Sequence, residues 1–404
     1  MSATIQPELG ASLADLSSEA LYRDPYPIYA TLRRQAPVHQ FPETGEWLVT
    51  RWADCRTIGA NPAVFGPSDH PASPEARVFG NPNILSMTGT EHACLRQGID
   101  MSLQPDVVSG YIEELARPIV QSYVEQVRPK GAADLTTELF EPISVRVVAS
   151  VLGLQDVSNR TLARWFHALV GGMQNPEADP GILVRLNAAR AEIDEVLRPA
   201  IERVTAAPDH SLLSHMVHGG MSDGAVRSYE QIIPTMRVFL LGGSQEPGHG
   251  AANAMLGVLQ NPDARAALIQ DPEDSALRAY DEGLRWIAPI GLTPRLSRKE
   301  FEVNGVTIPA GAPVAVVLAS ANRDADFYEE PDAFLLHRKR KQHASFGYAP
   351  HFCSGHALGR AIGRISLEEA FKSLPNLRLD EASAVETKGW RFRGVTRLPA
   401  LWDA

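Results

Sequence analysis

The sequence predicts a mainly α fold with small antiparallel β sheets, on three observations. Long segments repeat apolar residues at spacings of three and four, short strand signals sit near the two ends, and helices do not alternate with strands as a doubly wound sheet requires. The helical segments are 105–130, 141–153, 158–170, 183–205, 228–260 and 275–287. The strand signals are the stretch EWLVT near residue 48 and the run FEVNGVTIPAGAPVAVVLAS, in which Asn304-Gly305 supplies a tight hairpin turn. With 404 residues, 44% of them apolar, the chain can bury a large core, and no composition shift marks a linker. We expect one domain over 1–404, β-rich mainly near 40–90 and 290–404 and helical between.

Charge and composition narrow the function classes. The net charge of −10 is spread along the chain without a basic stripe interleaved with aromatics, which argues against a nucleic-acid partner. The N-terminal stretch has neither an apolar core nor a basic flank, and no run approaches 18 uninterrupted apolar residues. A cytoplasmic protein without a membrane anchor is the expectation. Cys55, Cys94 and Cys353 are too few and too scattered for a disulfide framework, so any special role falls to a thiol.

Two stretches point to chemistry. VFLLGGSQEPGHGAANAML, Val238 to Leu256, begins and ends as a buried helix but carries two glycines, an amide, a carboxylate, a proline and a histidine between. Glycine costs about 1 kcal/mol and proline about 3 inside a helix, so a local break with a purpose is expected there. SFGYAPHFCSGHALGR, residues 345–360, is a loop running into a helix, with Cys353 at the junction, where the helix end favours a thiolate ready for a soft metal. A buried inert cysteine, a nucleophile lacking a base, and a zinc site drawing on His343, His351, Cys353 and His356 are the competing readings.

The loop resembles the haem-binding signature of the cytochrome P450 family, matching at Phe346, Gly347, His351, Cys353 and Gly355 and departing at Ala349, where the family has a second glycine. Further matches follow in order. Glu282 and Arg285 stand as the E-x-x-R pair, with Arg338 as its second arginine, and His92, Arg96 and Arg295 stand as haem propionate partners. The resemblance covers essentially the whole chain. It implies that fold, with haem b (iron protoporphyrin IX) ligated by Cys353 and lying between a long central distal helix and the proximal cysteine loop and helix. It also implies O2-dependent monooxygenation. On the central helix, Gly242 and Gly243 fill small positions, while Gln245 and Glu246 replace the acid and alcohol that relay protons in the family. Gln245 is expected to hold a water, with Glu246 delivering the proton and Pro247 freeing a carbonyl.

A narrower resemblance, carried by Pro234 to Gly250, Glu141 to Arg146 and Trp390 to Gly394, is to the bacterial aryl O-demethylases that act on guaiacol and related methoxyphenols. It implies a small aromatic substrate clamped by Phe79 and Phe392, with Leu85, Val238, Gly242, Ile290 and Thr293 completing the wall and Met173 as a looser third contact. The implied products are formaldehyde and a catechol. The chain carries no flavin or iron–sulfur signature, so electrons from NAD(P)H must arrive through a separate reductase or ferredoxin. The basic run His337 to Lys341 is the candidate docking point on the proximal face. The stretch 170–185, rich in Gly and Pro, is expected to form a mobile entrance.

Overall fold

Buried Val108, Ile112, Ala116, Val120 and Val124 recur every fourth residue and turn one face of the helix Pro105–Val127 inward. The other expected helices form as Glu141–Val151, Asn159–Met173, Pro180–Ala206, Tyr229–Gln260 and Pro272–Trp286, the fourth of them buried on nearly all sides. The computed structural model describes residues 12–67, 73–175, 177–222 and 224–404. Its chain divides into two compact units, one of Met1–Ser68, Glu282–Phe352 and Glu386–Thr396, the other of Asp69–Asp281, Cys353–Val385 and Arg397–Ala404.

The first unit is built on a five-stranded sheet. Strand Trp47–Val49 pairs antiparallel with Val38–Gln40 and parallel with Pro313–Val316, which in turn pairs antiparallel with Thr293–Ser297. Phe65–Gly66 forms the far edge. Phe301–Val303 and Val306–Ile308 make the expected hairpin, and both turn residues, Asn304 and Gly305, take positive φ as a tight primed turn requires. The last three residues of that run fall in a short helix, Leu318–Ala321, rather than in strand. Two apolar clusters pack about the sheet: one includes Val49, Trp52, Phe65, Val314 and Val316, and the other Leu21, Leu32, Phe41, Leu48 and Ala315. Alternation along each strand sends neighbours to opposite clusters.

In the second unit the central helix Tyr229–Gln260 packs against Glu141–Val151 and against His356–Ser373, which packs in turn on Pro105–Val127. The helix runs unbroken through Pro234 and Pro247, so the break expected near Gly242 is not present. Apolar flanks buried on both sides keep the helix continuous across the two missing donors. The expected mobile entrance is also shorter than its composition suggests. Helices occupy it up to Met173 and again from Pro180, and Asp179 N–H donates to Asn175 Oδ1 at 2.8 Å across the connection. Among the described residues, no helix is long and apolar enough to cross a membrane.

Candidate active site

Cys353 stands just before the helix His356–Ser373, with the Gly355 backbone hydrogen-bonded to its sulfur and Gly359 N–H closing the first turn on Gly355 at 2.8 Å. Burial pushes its thiol up to about 11; the Gly355 hydrogen bond and the charges of Arg96 and Arg360 work the other way, and Glu246 adds to the rise. Desolvation thus outweighs the Gly355 donor and the two arginine charges, and a soft metal at the sulfur would favour the thiolate that the helix end is expected to promote. The side chain keeps accessible surface, while the surrounding protein is close enough to raise its pKa. Cys55, by contrast, is wholly buried and donates to the Val49 carbonyl at 3.1 Å, an inert core thiol.

The helix behind the cysteine is seated by the missing side chain of Gly363, with Gly359 in ordinary contact range of the central helix. A Cβ at Gly363 would lie 2.0 Å from the Tyr280 ring, and one at Gly359 would lie 3.7 Å from Pro247 of the central helix. Tyr280 thus fills the notch that glycine leaves.

On the central helix, Val238, Gly242, Glu246 and His249 recur at spacings of four, four and three and are partly exposed, while most other residues of the helix are buried. They form one open stripe. Glu246 Oε2 reaches back over Gly242, 3.5 Å from where a Cβ would stand, and it is a buried oxygen without a hydrogen-bond partner. Burial pushes this carboxyl up to about 8, only partly offset by its own backbone N–H. Arg237 pairs with Asp194 instead, so it does not neutralise Glu246. Gln245 is buried beside it. A Cβ at Gly243 would come within 3.1 Å of Val148 on the neighbouring helix, so its small size also serves helix packing.

The propionate candidates differ in their surroundings. His92 is buried on the helix Gly89–Leu103, and burial together with the Arg96 charge lowers its pKa. Arg96 is paired with Asp100 one turn on, Nη2 to Oδ2 at 3.1 Å. Arg295, in the sheet of the other unit, is buried, donates to the Pro294 carbonyl at 2.8 Å, and has its pKa lowered by burial with no acidic group opposing the shift. A buried guanidinium without an acidic counterpart suits a carboxylate brought by a cofactor.

In that same unit the expected structural pair is in place. Glu282 accepts from Arg285 Nη2 at 2.7 Å and from Arg338 Nε at 3.1 Å, and Arg285 also holds the carbonyls of Asn322, Pro331 and Ala333. Asn322 then accepts from Ala344 N–H at 2.6 Å and donates to Ser345 Oγ at 2.8 Å, fixing the start of the loop that carries Phe346, Gly347 and His351. Phe346 and Phe352 meet edge to face at 6.2 Å. Gly347 has φ +73°, and Ala349 is itself forced into the left-handed region at φ +52°, the conformation that the family's glycine would adopt freely.

The expected substrate wall is partly assembled within each unit. The stretch around Phe392 pairs with the chain at Ile290: Gly291 N–H donates to the Arg391 carbonyl at 2.8 Å and Arg393 N–H to the Pro289 carbonyl at 2.9 Å, making Ile290 and Phe392 direct partners. Gly291 permits this, since a Cβ there would lie 1.9 Å from the Trp390 carbonyl. Thr293 begins the adjacent strand. In the other unit, Phe79 ends the helix Pro74–Phe79 and is buried, Met173 ends its helix partly exposed, and Leu85 keeps 47% of its surface exposed. Phe239, beside Val238 on the open stripe, is a wall candidate that sequence reasoning missed. Its only signal is the three-to-four spacing to Gly243 and Glu246. Among the described residues, no group of three or more His, Cys, Asp or Glu is arranged to hold a metal ion, so the zinc reading gains no support.

Comparison with known proteins agrees with this arrangement. The family profile described as Cytochrome P450 matches residues 278–372. The chain is 30% identical over 401 residues to the vitamin D(3) 25-hydroxylase of Pseudonocardia autotrophica, covering 96% of each chain. It is 30% identical over 411 residues to the cytochrome P450 monooxygenase PikC of Streptomyces venezuelae, covering 98% of this chain and 94% of that one. Among solved structures, ligand-free cytochrome P450 TbtJ1 superposes with a TM-score of 0.84 at 26% identity, over 96% of this chain and 100% of that one.

Proposed function

The chain belongs to the cytochrome P450 family, as a haem-thiolate monooxygenase, and from that premise we propose that it hydroxylates the methoxy carbon of a small aryl methyl ether, a guaiacol-like methoxyphenol. The observation that carries the reading is the backbone pairing of Ile290 with Phe392, which sets two of the residues assigned to the substrate wall side by side. Phe79 is the second ring contact. The balance of the reaction is one O2, two electrons and two protons taken up, one oxygen inserted into a methyl C–H bond, and one water released. The hemiacetal so formed breaks its C–O bond to give formaldehyde and a catechol.

Haem, when bound, supplies the activation of O2. The side chains that suit it are Cys353 as the iron ligand and Arg295, His92 and Arg96 toward the propionates. Glu246, protonated at neutral pH, is placed to donate a proton from Oε2, and Gln245 offers an amide for a water. Electrons come from NAD(P)H through a separate reductase or ferredoxin in the cytoplasm, drawn to the exposed residues His337, Lys339, Arg340 and Lys341; Arg338 of that run is committed to Glu282.

A screen of methoxyphenols, fatty acids and terpenes tests this. Methoxyphenols should shift the haem spin state and yield one formaldehyde per catechol; a shift only with the other classes would overturn it. A hydroxylase or peroxygenase for an aliphatic or terpenoid substrate is the second reading. It is favoured by the relative that is a vitamin D(3) 25-hydroxylase and by the flexible Met173 at the wall.

A further inference from the structure

The helix Pro74–Phe79 that carries Phe79 has six residues, too short to hold itself. Gly80 N–H closes its last internal bond, on the Ala76 carbonyl at 2.9 Å, so the carbonyls of Arg77, Val78 and Phe79 point beyond the helix without a backbone donor from it. Two of these three are taken by guanidinium groups from other elements. Arg190 Nη1, on the helix Pro180–Ala206, donates to the Arg77 carbonyl at 2.7 Å. Arg237 Nη1, on the central helix, donates to the Phe79 carbonyl at 3.2 Å, while its Nη2 is paired with Asp194 of the helix Pro180–Ala206. Arg77 itself extends the chain of contacts, Nη2 to the Asn175 carbonyl at 2.7 Å.

The arrangement is costly enough to need a reason. Burial and the neighbouring charge of Arg237 both lower the pKa of Arg190, with Asp194 opposing them. Arg237 is almost fully buried. The loop after the helix is fixed to the same stretch of the central helix, since Ile84 N–H donates to Thr235 Oγ1 at 3.1 Å. Charge-assisted bonds to the negative end of a helix are the strong kind, and here two of them hold the last turn that carries Phe79.

We infer that Arg190 and Arg237 are positioning residues for substrate specificity: by capping the last carbonyls of the helix Pro74–Phe79 they hold the Phe79 ring in place against the bound aromatic molecule. This rests on Phe79 being a ring contact, as the proposed function has it. The residues act through Phe79, so their effect should exist only while that ring does.

The test is a mutant cycle on the holoenzyme with Arg190→Met, Phe79→Ala and the double variant, read by optical titration with 4-phenylimidazole and, as a control, imidazole. Amide exchange of residues 74–86 is followed alongside. Loss of the charge-assisted bond should raise the 4-phenylimidazole dissociation constant about tenfold in Arg190→Met. It should leave imidazole unchanged, quicken exchange across 74–86, and add nothing once Phe79 is alanine. Arg190→Lys, which can still donate to one carbonyl, should recover most of the affinity. Effects of Arg190→Met and Phe79→Ala that multiply in full, an equal loss for imidazole, unchanged exchange, or failure of the lysine to rescue would each overturn the inference. If methoxyphenols do not bind, the substrate reading falls while this cycle still reports on the arginines.

Discussion

Glu246 replaces an alcohol with an acid, and its environment determines what that acid can do. A carboxyl raised from 4.5 to about 8 keeps its proton at neutral pH and loses it as pH rises through 8. Proton donation should fade in that same window, so the fraction of electrons recovered as formaldehyde is expected to drop above pH 8 in the native enzyme. In Glu246→Gln that fraction should be low and flat with pH, with hydrogen peroxide released in its place; native-like coupling in the variant would remove Glu246 from proton delivery. The linkage to stability has the matching sign. The folded state holds a proton that the unfolded state releases, so this contribution is full below about 4.5 and is lost as pH rises through about 8. Ala349 is a second residue whose cost is local, a methyl-bearing residue at φ +52° where glycine would rest easily. Ala349→Gly should stabilise the fold by about 1 kcal/mol, read in urea unfolding, because the left-handed penalty is relieved.

At the scale of elements, the helix that follows Cys353 is held by buried ion pairs to Pro105–Val127. Glu368, with no exposed side-chain surface, accepts from Arg117 Nη2 at 2.9 Å and Arg364 Nη1 at 2.5 Å, while Arg117 Nη1 reaches Glu369 at 2.6 Å. Arg117→Met should cost about 3–5 kcal/mol in chemical unfolding, because it leaves Glu368 short of a partner in a dry site. A loss under 1 kcal/mol would mean that Arg364 alone suffices. The helices themselves were legible because each repeats its apolar face over several turns, whereas the central helix was misread at Pro247. Local cost suggested a break there, and long buried flanks overrode it. The capping of Pro74–Phe79 could not be read from sequence at all, since its acceptors are backbone carbonyls, which every residue has. The ligand loop was legible because Gly347, His351, Cys353 and Gly355 match a signature in one short stretch, and the Glu282–Arg285 pair and Arg338 precede it in the expected order. The rise in the Cys353 pKa was not, because burial is a property of the fold.

For the whole molecule, the net charge of −10 coexists with exposed cations at Lys339, Arg340 and Lys341. A positive patch on an acidic protein guides an acidic partner to one place. Lys339→Glu with Arg340→Glu should raise the reductase concentration for half-maximal turnover several-fold at low salt, with the difference shrinking as salt approaches 1 M and the screening length falls to about 3 Å. An unchanged requirement would move docking elsewhere. The notch at Gly363 carries a consequence of another kind. Because even one methyl there would overlap Tyr280, the order of change along the segment bearing the sulfur is constrained: the glycine can grow only after the ring opposite has given way, so in any lineage the tyrosine has to change first.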